Sequence, residues 1–305
     1  MKTLPYLLYI EYFSVKNMGR AIAYWSSDAL FRLKSKYLRI TGKVFEFSNH
    51  EEKSDSEIRP YLQFIERAAV FPEVGLNFRR DLRYREILEH VGYFLGGKYL
   101  KEINSVGSFY KDQLKKSTLN DSYGNPRTFR LFDGIELSTT TIRYLSVWYQ
   151  IESLVKPLPN SKWVEIGCGY GGQAAVLNRM ISIKSYTMFD VPQAENLVTQ
   201  YLTNINSRLT PIFANLSELN HETSYDFAIS NYAFSELPKQ LQIEYLTKVL
   251  SKSRHGYMIM NSGRSNFSGR SKGKLTLGEI QAFLPQLKVL EEKPLSGPDN
   301  YLIVW

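Results

Sequence analysis

The chain has 305 residues, with 38 Lys and Arg against 30 Asp and Glu, for a formal net charge of +8. An apolar share of 43% suffices for a buried core and a charged share of 22% is ordinary for a globular protein, which excludes collagen-like, coiled-coil and wholly disordered classes. The single cysteine, Cys168, excludes an intrachain disulfide, and His50, His90, His221 and His255 are too scattered for a zinc site.

From the amino terminus, the apolar run Leu4–Ile10 stops at Glu11 with no small-residue cleavage site after it, so no signal peptide is expected. No apolar stretch reaches the ~20 residues of a membrane span, and a cytoplasmic protein is the expectation. Residues 1–45 then interleave Lys16, Arg20, Arg32, Lys34, Lys36, Arg39 and Lys43 with Ile22, Trp25, Leu30 and Phe31 at roughly helical spacing. An amphipathic helix packed on the rest of the chain is one reading. The other is an interfacial helix in peripheral contact with the inner face of an anionic membrane. Residues 46–58 read as a polar linker.

From Pro60 to about Tyr110 the apolar spacing is helical, with Gly96-Gly97 expected to break the run. Asn120-Asp121-Ser122-Tyr123-Gly124-Asn125-Pro126 is a loop by composition. Ser138 then offers a hydroxyl cap to a helix that continues to about Leu154, and Pro157 and Pro159 close it. On that helix Arg143 and Tyr144 read as a solvated face, with reach over a site as the alternative.

After Pro159 the pattern alternates. Strands are predicted at 162–167, 185–190, 210–214, 225–231, 256–261, 287–293 and 300–305, and helices at 171–182, 193–205, 237–252 and 276–284. Such alternation implies a mostly parallel sheet flanked by helices, with one reduced crossover between Ala214 and Tyr225. The short link from Leu295 to Asn300 makes the last two strands antiparallel neighbours. The expected organisation is a helical amino-terminal or cap region over residues 1–155 and an α/β, Rossmann-like domain over 156–305.

The chemistry concentrates in Val164-Glu165-Ile166-Gly167-Cys168-Gly169-Tyr170-Gly171-Gly172, where a strand runs through a glycine turn into a helix. Gly167 and Gly169 let the backbone bend and approach a ligand, and Gly171 and Gly172 bring the helix against the strand. Cys168 reads as a small filler of that turn. The spacing also satisfies the dinucleotide fingerprint, with Asp190 near the offset of a ribose-binding carboxylate, so NAD is the first competitor. Three features favour S-adenosylmethionine (SAM). Glu165 is a carboxylate inside an apolar strand and requires a partner such as an ammonium. The turn lies past the middle of the chain, whereas an NAD fingerprint usually opens it. The closing antiparallel pair is typical of class I methyltransferases.

The segments 164–172, 186–192 (Tyr-Thr-Met-Phe-Asp-Val-Pro) and 225–237 (Tyr-Asp-Phe-Ala-Ile-Ser-Asn-Tyr-Ala-Phe-Ser-Glu-Leu) resemble the sugar O-methyltransferases of bacterial surface-polysaccharide gene clusters, and Gly124-Asn125-Pro126 fits that resemblance. It covers roughly residues 120–305 and implies a SAM-binding, Rossmann-like class I methyltransferase sheet. By motif, Glu165 and Gly167 would meet the methionine end of SAM, and Gly169 and Gly172 complete the cofactor-binding turn. Asp190 would bind the ribose hydroxyls, a helix cap before Pro192 being its alternative role. Val191, and with weaker support Asn215 and Leu216, would lie by the adenine. Ser230 and Asn231 would border the methyl group.

Transfer to a sugar hydroxyl benefits from a base, and Glu236 is the first candidate, with dipole complementation at a helix start as its alternative. Tyr232 would contact the acceptor or simply pack. The basic, polar stretch from Asn261 to Lys272 reads as an acceptor-binding lid or an ordinary loop. No acidic pair follows the fourth strand, so no metal is expected. The expected partner is a sugar, nucleotide-sugar or glycan acceptor, with no specific nucleic acid and with an oligomer compatible with the sequence. The competing functions are an RNA methyltransferase, favoured by the basic balance, and a non-catalytic Rossmann adapter in glycan assembly.

Overall fold

A computed structural model describes residues 59–305 apart from 90, 105–109, 132–133, 221 and 265–270. The basic amino-terminal segment, its membrane contact, the linker at 46–58 and half of the 261–272 loop lie outside the described residues.

The first half is helical. Helices α1 (Arg59–Val70), α2 (Leu82–Ile87), α3 (Tyr93–Asn104) and α4 (Tyr110–Ser117) precede a hairpin of β1 (Thr128–Arg130) and β2 (Glu136–Ser138), and α5 (Thr139–Leu154) follows. The hairpin was not expected from composition. Its strands are three residues each, too short to show alternation. Ser138 caps α5 as predicted, its hydroxyl accepting from the Thr141 amide. Gly96 and Gly97 do not break a helix. They lie buried inside α3, because a Cβ on Gly96 would fall 2.4 Å from Thr139 Cγ2 and only glycine lets α3 approach α5 this closely.

The second half runs β3 (Ser161–Ile166), α6 (Gly172–Met180), β4 (Ile183–Phe189), α7 (Pro192–Asn204), β5 (Pro211–Phe213), β6 (Tyr225–Asn231), α8 (Lys239–Lys248), β7 (Ser253–Met260), α9 (Leu277–Phe283), β8 (Lys288–Glu291) and β9 (Tyr301–Val304). As expected of a reduced crossover, the described residues between β5 and β6 form no helix. The seven strands order as β5-β4-β3-β6-β7-β9-β8, and β9 alone runs antiparallel to its neighbours. This is a Rossmann-like α/β sheet, mostly parallel with one antiparallel strand, with a mainly helical region before it.

Successive strand residues face opposite sides, so each face carries its own core. Trp163, Tyr186, Phe227 and Tyr257 point to the side covered by α3, α5, α6 and α7. Val164, Phe189, Met258 and Ile303 point to the side covered by α8 and α9. The first core crosses residue 155: Tyr61, Phe64 and Tyr84 of the amino-terminal helices pack in one cluster with Tyr170 and Tyr201. Among the described residues no helix is long and apolar enough to cross a membrane.

Candidate functional site

The glycine turn joins β3 to α6 and holds Gly167, Gly169 and Gly171 at φ of 78°, 57° and 84°, conformations that strongly favour glycine. The Gly167 amide donates to the Phe189 carbonyl (2.8 Å), which fixes the turn against the end of β4. On its other side, a Cβ on Gly167 would lie 2.0 Å from the Ala233 Cβ, in the helical turn Ala233–Glu236 after β6. The turn is therefore seated between the carboxyl ends of β4 and β6, the usual place for ligands in such sheets.

Two carboxylates flank it. Asp190 follows β4; its Oδ2 accepts from the Gly169 amide and its Oδ1 from the Val191 amide, both at 2.8 Å. Burial raises its pKa, and the Val191 and Gly169 amides act against that rise. The Cys168 thiol and amide also hydrogen-bond to this carboxylate, so the turn itself holds it in place. Glu165 is 1% exposed and faces the cap side of the sheet, where the Tyr186 hydroxyl donates to its Oε2 (2.8 Å). Burial pushes Glu165 up to about 8, partly offset by the Tyr186 bond and reinforced by the charge of Asp190. At neutral pH it is mostly protonated until a cation arrives beside it. Cys168 is buried, and burial raises its thiol well above the usual range, which suits a filler rather than a nucleophile.

The remaining predicted residues take different positions. Ser230 is fully buried; its hydroxyl donates to the Ile166 carbonyl and accepts from the Phe234 amide, so it ties β6 to β3. Asn231 Nδ2 donates to Gln173 Oε1 (3.2 Å) near the start of α6, while its buried Oδ1 has no partner among the described residues. Val191 caps α7. The Asn215 carboxamide accepts from the Ser217 amide and hydroxyl, forming a local turn. Leu216 is buried in the core that contains Phe189 and Tyr245. Gly172 begins α6 and its carbonyl accepts from Asn120 Nδ2.

The two catalytic candidates diverge. Glu236 Oε1 accepts from Asn261 Nδ2 (2.8 Å), and Glu236 closes its helical turn rather than opening a helix. Tyr232 holds a positive φ of 72° without being glycine, a strained state that the fold must enforce. Its hydroxyl donates to Glu292 Oε1 and lies 2.9 Å from the Ser296 hydroxyl. Glu292 is 4% exposed, and its Oε2 accepts from the Ser296 amide. Burial raises the Tyr232 pKa, as does the charge of Glu292, so the phenol keeps its proton.

Sequence reasoning missed Glu292 and the cap residues. The side chain of Leu88 lies against Gly169, and Tyr61 of α1 lies within electrostatic reach of Asp190 and Cys168. The solvated-face reading of Arg143 and Tyr144 is corrected: both are buried, because α5 is enclosed by α3 on one side and α6 on the other. Arg79 is likewise buried, with ion pairs to Glu89 and Asp121. Among the described residues, no group of three His, Cys, Asp or Glu side chains could hold a metal ion.

No family model and no curated protein matches the sequence. Solved structures do. The methyltransferase domain of a bacterial Hen1 aligns at 16% identity over 53% of this chain and 96% of that chain, with a TM-score of 0.39. The N-methyltransferase NodS from Bradyrhizobium japonicum aligns at 16% identity over 53% and 91%, with a TM-score of 0.39. Magnesium protoporphyrin IX methyltransferase from Synechocystis, solved with bound SAH, aligns at 12% identity over 72% and 96%, with a TM-score of 0.40.

Proposed function

We propose that the chain is a SAM-dependent O-methyltransferase acting on a sugar hydroxyl of a surface glycan or of its nucleotide- or lipid-linked precursor. The observation that carries this reading is the pair of carboxylates, the buried Glu165 and the half-buried Asp190, on the carboxyl-terminal side of adjacent parallel strands and beside a glycine turn. The residues present fit a nucleoside with a cationic end. Asp190, half-buried just past the end of β4, would receive ribose hydroxyls there. The buried Asn231 Oδ1 is an acceptor without a donor, and the buried Glu165 is a carboxylate that an ammonium beside it would stabilise in its charged form.

When bound, SAM supplies a methyl group activated on a sulfonium. The chain supplies the rest. The cap helices exclude water from the turn, and positioning of an acceptor hydroxyl provides much of the acceleration. Tyr232 follows β6 and its hydroxyl donates to the buried Glu292, so the phenol oxygen could accept a hydrogen bond from the acceptor while its own proton is shared with Glu292. Glu236, on the Asn261 side, is the alternative base. The choice of a sugar rests on the sequence resemblance of segments 164–172, 186–192 and 225–237.

Calorimetry with S-adenosylhomocysteine and with NADH tests the cofactor. Binding of the first alone is expected, and Asp190→Ala should weaken it by about 1–3 kcal/mol through lost charged hydrogen bonds. NADH binding without S-adenosylhomocysteine binding overturns the reading. Incubation with labelled SAM and candidate glycans, read by mass spectrometry for a gain of one methyl, then tests the acceptor.

A further inference from the structure

Arg143 is a permanent cation in the middle of α5, and only 5% of it is exposed. Among the described residues no carboxylate oxygen comes within 4.0 Å of its guanidinium, and its Nε has no hydrogen-bond partner. What surrounds it is aromatic: Tyr144, whose ring lies 5.2 Å from its guanidinium carbon and whose hydroxyl is its hydrogen-bond partner, and the phenols of Tyr99 and Tyr232. The carboxylate that shares this cluster, Glu292, spends its oxygens on Tyr232 and Ser296.

Buried cations in proteins are paired, because an unpaired charge in the interior is costly. The contrast with Arg79 is direct: that buried guanidinium has Glu89, Asp121, Ser138 and the Asn120 carbonyl around it. The residue after Arg143 packs against the start of the helix that follows the glycine turn. Tyr144 is packed where a Cβ of Gly172 would be, its carbonyl accepts from Gln173, and Gln173 in turn accepts from Asn231. Tyr232, the following residue, is within reach of Arg143 itself. The unpaired cation therefore shares its aromatic surroundings with the strained Tyr232, which follows Asn231 and its unpartnered Oδ1.

We propose that Arg143 is the anion-binding residue of this site, its guanidinium pairing with a carboxylate or phosphate that a ligand brings in. Two sources carry that chemistry: the amino-acid end of the donor nucleoside, and an acid group on the acceptor sugar. The inference rests on the methyl-transfer reading, and the experiment separates the failure of each.

The full-length protein and its Arg143→Met and Arg143→Lys variants are titrated calorimetrically with four probes. These are S-adenosylhomocysteine, 5′-methylthioadenosine (which lacks the amino acid), glucuronate and glucose 1-phosphate, the last two in the presence of S-adenosylhomocysteine. If the donor brings the anion, Arg143→Met binds S-adenosylhomocysteine at least tenfold more weakly and 5′-methylthioadenosine as wild type does. If the acceptor brings it, both nucleosides bind unchanged and an acidic sugar that binds wild type is lost. In either case Arg143→Lys falls between the other two proteins. A structural role is separated by melting without ligand. An unpaired cation awaiting an anion predicts that Arg143→Met melts at or above wild type. A variant that fails to fold, or melts several degrees lower, overturns the proposal. So does a wild type that binds S-adenosylhomocysteine while Arg143→Met matches it with every probe. A wild type that ignores both nucleosides overturns the methyl-donor reading instead.

Discussion

The guanidinium carbon of Arg79 lies 5.0 Å from the ring centre of Tyr170, so the helical first half reaches the glycine turn through one buried cation. The same guanidinium pairs with Glu89 and, at 2.8 Å, with Asp121, whose carboxylate also accepts from Ser138 and Thr141 at the start of α5. Asn120, beside Asp121, receives the Tyr201 hydroxyl of α7 on its carbonyl and donates to Gly172. Cap, turn and crossover helix thus share one polar network beneath an aromatic cluster.

Removing the cation leaves two carboxylates without their counter-charge. Arg79→Met should destabilise the protein by roughly 3–5 kcal/mol, since breaking a buried pair costs more than the pair contributes. Arg79→Lys should recover little of it, because a lysine cannot reproduce the fork that reaches Glu89, Asp121 and Ser138 together. Urea denaturation measures both. An Arg79→Met midpoint equal to wild type would show that the network is not what joins the cap to the turn.

Glu165 makes stability depend on pH in a defined direction. Its pKa rises from 4.5 to about 8 on folding, chiefly by burial. The folded state therefore holds a proton that the unfolded state gives up, and stability falls as pH rises between those values, by about 5 kcal/mol at most. Glu165→Gln, which can still accept from Tyr186, should remove that slope. Measured at pH 8 without ligand, the variant should be more stable than wild type, and the gap should shrink toward pH 5. Ligand binding supplies an independent readout. A nucleoside carrying an ammonium should expel the proton near pH 7, detectable as a buffer-dependent calorimetric heat that Glu165→Gln lacks. Equal heats in buffers of different ionisation enthalpy would count against Glu165 as the cation's partner.

Gly167 is constrained twice, by its φ of 78° and by Ala233. An alanine there carries a left-handed penalty of about 1–2 kcal/mol together with an overpacking cost of about 1–3 kcal/mol. The two parts separate in a double variant. Ala233→Gly should relieve the overlap in Gly167→Ala and leave the backbone penalty, so thermal melting should recover about half the loss. Gly169→Ala should be milder, because its Cβ would meet the flexible Leu88 side chain at 3.1 Å. A Gly167→Ala protein as stable as wild type would mean that Ala233 is not locked against the turn.

The seven strands were legible because each is a short apolar run between turn residues, and periodicity along one segment needs no knowledge of its neighbours. The glycine turn, Glu165 and Asp190 were legible for the same reason: their spacing is local. Gly96-Gly97 misled because a helix's glycines are tolerated when another helix presses on them, and Thr139 is 43 residues away in sequence. Arg143 misled because its helix is polar and aromatic by composition, and only α3 and α6 together decide that it is buried. Glu292 offered no signal at all. It follows an edge strand whose side chains are mostly exposed or half-buried, and the phenol that binds it lies 60 residues earlier.

That phenol leads to the prediction about chemistry. Tyr232 is held in a conformation that costs of order 1–3 kcal/mol for a residue with a side chain, at the point where β6 leaves the sheet, and its hydroxyl donates to a carboxylate that burial keeps from water. Because burial raises the Tyr232 pKa, the phenol itself takes up a proton only as it passes its own to Glu292. Tyr232→Phe and Glu292→Gln should then slow methyl transfer by about 10²–10⁴-fold, the range typical of a lost acid–base group, and should leave S-adenosylhomocysteine affinity unchanged. Glu236→Gln serves as the control on the Asn261 side and should slow transfer far less. Were Glu236→Gln the slow variant and Tyr232→Phe as fast as wild type, the base would belong to Glu236, and the Tyr232–Glu292 bond would serve only to anchor the segment after β8.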